Sequence, residues 1–76
     1  RRLVAGALKA DSPYVGTTVA TSGRKLDGGN TNIVALVRDE QIIVPSATTV
    51  LQSGDRLVVV TSEEGLQRLR ANLESW

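Results

Sequence analysis

Two neighbouring cations, Arg24 and Lys25, stand just before a glycine-rich stretch, Asp27-Gly28-Gly29-Asn30. In this 76-residue chain they form a pair of charges that could hold an anion. A guanidinium grips a phosphate through two parallel hydrogen bonds, whereas an ammonium acts as a compact point charge. The plain alternative is a pair of solvated surface cations. Gly28-Gly29 does not by itself make a phosphate cradle. Such a cradle needs successive amides converging on the anion, commonly at a helix start. These glycines lead into a strand, and neither Gly-x-x-x-x-Gly-Lys-Ser/Thr nor Gly-x-Gly-x-x-Gly occurs, so they read as a flexible turn. Asn32 follows the turn. Its amide can donate and accept hydrogen bonds, and the plain reading is that it bonds the Gly28-Gly29 loop.

Other chemistries lack their reagents. The chain has no His and no Cys. An imidazole base, a thiolate nucleophile, a disulfide and the usual nitrogen and sulfur metal ligands are therefore excluded. The serines have no histidine to activate them. The carboxylate pairs Asp39/Glu40 and Glu63/Glu64 are sequence neighbours whose side chains diverge, and turn and helix-end roles account for them. No catalytic residue and no metal ligand is assigned, and the chain is not expected to be an enzyme. The net charge of +1 is too balanced for a nucleic-acid footprint. Tyr14 and Trp76 are the only aromatic residues, so no platform exists for stacking bases. Apolar runs reach only five residues, as in Ile33 to Val37, far short of a membrane span. Direct membrane insertion is not expected.

The elements that must position these residues follow from periodicity and punctuation. Leu3 to Lys9 reads as a first strand, with Gly6 marking a bulge or a close backbone neighbour. Asp11-Ser12-Pro13 is turn chemistry. Val15 to Ser22 reads as one short amphipathic helix, stopped at Gly23 by its freedom to turn left-handed. Arg24 to Thr31 is then a polar loop. Asn32 to Val37 is a strand, apolar at every position after Asn32 and expected to be covered on both faces. Arg38 to Gln41 forms a turn to a hairpin partner, Ile42 to Val44, which Pro45 ends because it cannot donate to a ladder. Val50 and Leu51 anchor a connection through Ser53. Gly54-Asp55 turns the chain into a last strand, Arg56 to Val60.

The C-terminal helix has the clearest signature. Thr61 or Ser62 can cap a free first-turn amide. Glu63 and Glu64 then suit the positive end of the helix dipole. Leu66, Leu69 and Leu73 make a single apolar stripe. Gly65 is a weakness worth roughly 1 kcal/mol against Ala if exposed. The expected fold is therefore α+β, a small β-α-β-β-β-α domain with one mainly antiparallel sheet and two helices. Residues 1–76 form one such domain, read as a fragment or excised piece of a larger protein because no initiator Met, signal or transit pattern precedes Arg1. A domain this small is only marginally stable alone, which favours oligomerisation.

Four blocks occur together in a recognisable order: Ser12-Pro13-Tyr14-Val15-Gly16-Thr17-Thr18-Val19, Asn32 to Arg38, Ile42-Ile43-Val44-Pro45, and Leu51-Gln52-Ser53-Gly54-Asp55-Arg56-Leu57. With them the chain resembles the TrkA-C, or RCK_C, domain over about residues 3 to 74. This is the C-terminal regulatory half of modules that control potassium channels, transporters and cation/proton antiporters in prokaryotes. The resemblance implies a cytoplasmic homodimer held at the inner face of the membrane by its parent or partner transporter. It further implies a small regulatory nucleotide, cyclic di-AMP in several members, held in the cleft between two copies, with no other cofactor. Mapped on this chain, the ligand contacts fall on Arg24, Lys25, Asn32 and Pro45, with Ile33 and Val34 as apolar walls. The family's usual Arg position falls on Lys25, while Arg24 takes a place that is usually apolar, and the segment from Gly23 to Asn32 is one residue longer than the common pattern. The alternative is a dimerisation and scaffolding module of a transporter that binds no ligand.

Overall fold

The computed structural model describes residues 1–75, so Trp76, the last position of the expected 1–76 domain, lies outside the described residues. Five strands and two helices follow the order β1 (Arg2–Leu8), α1 (Val19–Asp27), β2 (Asn32–Arg38), β3 (Gln41–Ile43), β4 (Arg56–Thr61), α2 (Glu63–Arg70) and β5 (Leu73–Glu74). They form one antiparallel sheet ordered β3-β2-β4-β1-β5. The α+β class and the antiparallel sheet with two helices are as the sequence implies.

One face of the sheet carries the core. Cross-strand partners share a face. Leu36 lies opposite both Leu57 and Ile43, Ile33 opposite Val59, and Leu8 opposite Leu73. These residues, with Leu26 of α1 and Leu69 of α2, fill the space between sheet and helices, joined by Tyr14 and Leu51 from the connections. The other face is not covered by either helix. β2 is therefore buried on one side only, and the expectation of cover on both faces fails. Ile33 and Leu36 are buried, whereas Val34 is exposed. A bulge explains the break in alternation: the register passes from Ile33↔Val59 to Ala35↔Val58, leaving Val34 as the extra residue.

The first helix lies four residues later than the sequence suggests. Thr18 is its N-cap and accepts from the Thr21 amide at 3.2 Å. Gly23 does not stop it. The chain continues through Leu26, a core residue, and ends at Gly28 with φ of 69°. Burial of Leu26 outweighs the poor helix propensity of the Thr-Ser-Gly segment. Arg24 and Lys25 are thus helical, not part of a loop, and the polar loop shrinks to Gly28–Thr31.

The hairpin is tighter than expected. Arg38 pairs with Gln41, leaving only Asp39 and Glu40 in the turn, and both have positive φ (52° and 64°). That is the twist a two-residue hairpin requires. Ser62, rather than Thr61, caps α2 and accepts from Gly65 N at 3.1 Å. Leu73 belongs not to the helix stripe but to β5, a strand that short-range pattern did not signal. β5 explains Gly6: a Cβ there would meet Glu74 O at 2.6 Å. Gly65 is buried, not an exposed weakness. A side chain there would collide with Thr61 Oγ1 and approach Asp27 Oδ2 at 3.1 Å.

Candidate functional site

β3 forms one edge of the sheet. Five large hydrophobic residues are exposed among the described residues; Leu3 is on β1, and the other four fall from position 34 to 50: Val34 at 49%, Ile42 at 78%, Val44 at 83% and Val50 at 45% exposure. β3 has no strand beyond it. An uncovered edge with apolar side chains is a template for pairing with another chain. Pro45 ends β3. Continuing the antiparallel count from Leu36↔Ile43 sets it level with Val34 on β2.

From Pro45 the chain crosses toward the start of α1. Ala20 N donates to Ala47 O at 3.0 Å and Val19 N to Thr49 O at 2.9 Å, and Thr18 bridges Val50. A buried ion pair fixes the far end of this crossing. Arg38 Nε donates to Asp55 Oδ1 at 2.9 Å and Nη2 to Asp55 Oδ2 at 2.6 Å, while Nη2 also donates to Val50 O at 3.0 Å. Asp55 raises the pKa of Arg38, so the guanidinium stays charged. The apolar edge is therefore held on a braced frame.

The basic pair stands on α1. Both cations occupy the last two turns of α1 and are exposed. Arg24 reaches back to Thr21 Oγ1 at 3.3 Å. The carbonyls that end this helix are all satisfied. Gly28 N donates to Arg24 O at 2.9 Å and Gly29 N to Gly23 O at 3.3 Å. Arg68 Nη1, from α2, donates to Leu26 O at 2.6 Å and Lys25 O at 3.1 Å. Asn30 Nδ2 donates to Asp27 O at 3.3 Å. Arg68 was not singled out by sequence; its only signal is the four-residue spacing from Glu64, with which it pairs at 3.0 Å.

Asp27 closes the junction between the two helices. Ser62 Oγ donates to its Oδ2 at 2.6 Å, and Thr31 Oγ1 meets Thr61 Oγ1 at 2.8 Å beside it. Its Oδ1 is buried with no hydrogen-bond partner in bonding geometry. Burial works to raise the pKa, but the hydroxyl and amide groups of Ser62, with those of Thr31 and Asn30, outweigh it and hold the carboxyl below its ordinary value. A carboxylate stabilised in this way is a weak base, and it reads as a structural hub.

The expected contact residues separate. Asn32 is exposed at the start of β2, and a shallow polar depression of about 240 Å³ lies there, lined by Arg1, Gly29, Asn30, Thr31 and Asn32. Val34 is exposed and Pro45 half-buried. Ile33 turns inward at 7% exposure and joins the core, so it backs the surface without forming a wall. A second depression of about 260 Å³ is lined by Val37, Asp39, Glu40, Gly54 and Arg56, an acidic setting unsuited to phosphate. Neither hollow reaches the roughly 300 Å³ from which small-molecule sites begin. Among the described residues no group of three or more His, Cys, Asp or Glu is placed to hold a metal ion. No helix among them is long and apolar enough to cross a membrane.

The chain belongs to the TrkA-C domain family, whose profile matches residues 3–74. No relative is found among curated proteins. Among solved structures it is similar to an RCK domain determined with cda, at 26% identity and TM-score 0.71, covering 97% of this chain and 100% of that one. It also resembles the RCK_C domain dimer of S. agalactiae BusR in complex with c-di-AMP, at 22% identity and TM-score 0.73, with 93% of each chain covered. BusR in complex with its busAB-promotor DNA matches at 22% identity and TM-score 0.73, with 92% of this chain covering 34% of that one. The two BusR likenesses are likenesses of fold.

Proposed function

We propose that this domain is a ligand-sensing regulatory module that works as a homodimer and controls a prokaryotic cation channel, transporter or antiporter, with potassium as the ion. Its place is the cytoplasmic side of the membrane, reached through the parent or partner protein. The ligand is a small anionic nucleotide, cyclic di-AMP, held between two copies. Arg24 and Lys25 meet its phosphates, Asn32 its base edge, and Val34 and Pro45 its apolar flank, with Ile33 supporting Val34 from the core. The domain contributes binding, not catalysis.

One observation carries this reading: exposed apolar residues on and beside β3, Ile42 and Val44 above all, occur in the same small domain as an exposed basic helix end. A second copy covers the first feature, and an anion suits the second. The small volume of both surface hollows supports a site completed by a partner. The c-di-AMP complex of the BusR RCK_C dimer supports the ligand and the assembly by analogy of fold. The BusR complex with promoter DNA belongs to a chain nearly three times the span matched here, and the family's link to transport favours a membrane protein as the effector of this domain.

The mechanism is a population shift. Two copies exchange between arrangements, and the nucleotide favours one of them by its differential affinity. The attached membrane protein follows. Thermal-shift screening against cyclic di-AMP, other nucleotides and cations tests the proposal, because a ligand selective for the folded state raises its apparent stability. The expected result is a rise with cyclic di-AMP that Arg24→Ala/Lys25→Ala abolishes while leaving the ligand-free melt unchanged. An identical rise in that variant would remove the phosphate contact from these residues.

A further inference from the structure

The two cations assigned to phosphate stand on a helix end that does not close itself. The last carbonyls of α1 include those of Lys25 and Leu26, and a helix leaves such groups without internal partners. In this domain both are taken by one guanidinium from another element, Arg68 Nη1 of α2, at 3.1 Å and 2.6 Å. Arg68 is itself steadied by Glu64 at 3.0 Å. Beside it, Ser62 at the start of α2 holds Asp27, the final residue of α1, at 2.6 Å. Two links therefore tie the last turn of α1 to α2, one at each end of the contact. A Cβ at Gly65 between them would lie 3.1 Å from Asp27 Oδ2 of α1, so the two helices are in close approach.

We infer that Arg68 is a positioning residue for the anion site: it caps the basic turn of α1 from α2 and so sets where Lys25 and Arg24 present their charges. This rests on the reading of those cations as phosphate contacts. Arg68 does not need to touch the ligand. Its Nη1 is occupied by the two carbonyls and its Nη2 by Glu64, a planar spread of acceptors that suits a guanidinium.

Solution NMR tests this with cyclic di-AMP as the probe. Arg68→Ala should weaken its binding about five- to tenfold, as expected for loss of charge-assisted bonds that fix a contact. In a Lys25→Ala background the same substitution should cost markedly less, because one group it positions is gone; that coupling is the signature of action through Lys25. Amide exchange at Gly28 and Gly29, whose N–H groups close the same turn, should speed up in Arg68→Ala without ligand. A purely structural role would lower affinity equally in both backgrounds, and that result overturns the inference. So does unchanged affinity, or unchanged exchange at Gly28 and Gly29 with binding intact. If the unaltered domain binds no cyclic di-AMP, the functional reading falls and this role with it. Faster exchange in the variant would then mark Arg68 as a helix cap only.

Discussion

Breaking the Arg38–Asp55 pair from its two ends should give unequal costs. The partners differ in exposure: the Asp55 side chain is 1% accessible and that of Arg38 22%. Replacing Arg38 with Met leaves the carboxylate buried, with the Gln52 amide at 2.9 Å as its remaining donor. Breaking a buried pair in this way costs about 3–5 kcal/mol, and the partial exposure of Arg38 points to the low end, about 3 kcal/mol. Replacing Asp55 with Ala leaves a guanidinium that can turn to water and keep its bond to Val50 O. That change forfeits charge-assisted hydrogen bonds worth about 2 kcal/mol. For a domain of this size a urea slope near 1 kcal/mol/M applies. Arg38→Met should then lower the urea midpoint by about 3 M and Asp55→Ala by about 2 M. Far-UV circular dichroism across a urea series reads both. Equal midpoints for the two variants, a larger loss in Asp55→Ala, or losses under about 1 M in both would refute the view that a stranded buried anion dominates. The pair matters beyond stability, because it ties the end of β2 to the chain carrying Val50 and so shapes the apolar edge.

Other expectations concern single positions. Glu40→Gly should stabilise the domain by about 1 kcal/mol, since Glu40 holds a left-handed conformation that disfavours a side chain; a lowered urea midpoint would contradict this. Gly65→Ala should destabilise by about 1–3 kcal/mol through overpacking against Thr61, seen as a lower melting temperature despite alanine's better helix propensity. Asp27 has a folded pKa below its ordinary value of 3.8, so its proton binds the unfolded chain more tightly. Its contribution is complete above that ordinary value and is lost as pH falls through the folded one. Urea midpoints taken from about pH 6 to pH 2 should therefore fall less steeply in Asp27→Asn than in the unaltered chain.

Much of the sheet was legible because local pattern and burial agree. Leu57 and Val59 alternate with less buried residues, and the Ser62 cap with Leu66 and Leu69 announces α2. The errors arise where tertiary contacts overrule local preference. Thr21, Ser22 and Gly23 are poor helix formers, yet Leu26 carries α1 through them into the core. Leu73 fits the α2 stripe by spacing but pairs with Leu8 as part of a two-residue strand. The bulge at Val34 depends on the register against β4, which no single strand encodes. The candidate site was legible as residue types, not as placement. Arg24 and Lys25 were visible as adjacent cations, but their helical setting and the cap from Arg68, 42 residues after Leu26, exist only in the folded chain. The Arg38–Asp55 pair escaped notice for the same reason.

A nucleotide shared between two copies of this domain binds in a fixed ratio. Calorimetric titration of the purified domain with cyclic di-AMP measures that ratio directly. Saturation at one nucleotide per two chains is expected. Saturation at one per chain, or no heat of binding at any concentration, would rule out a shared site.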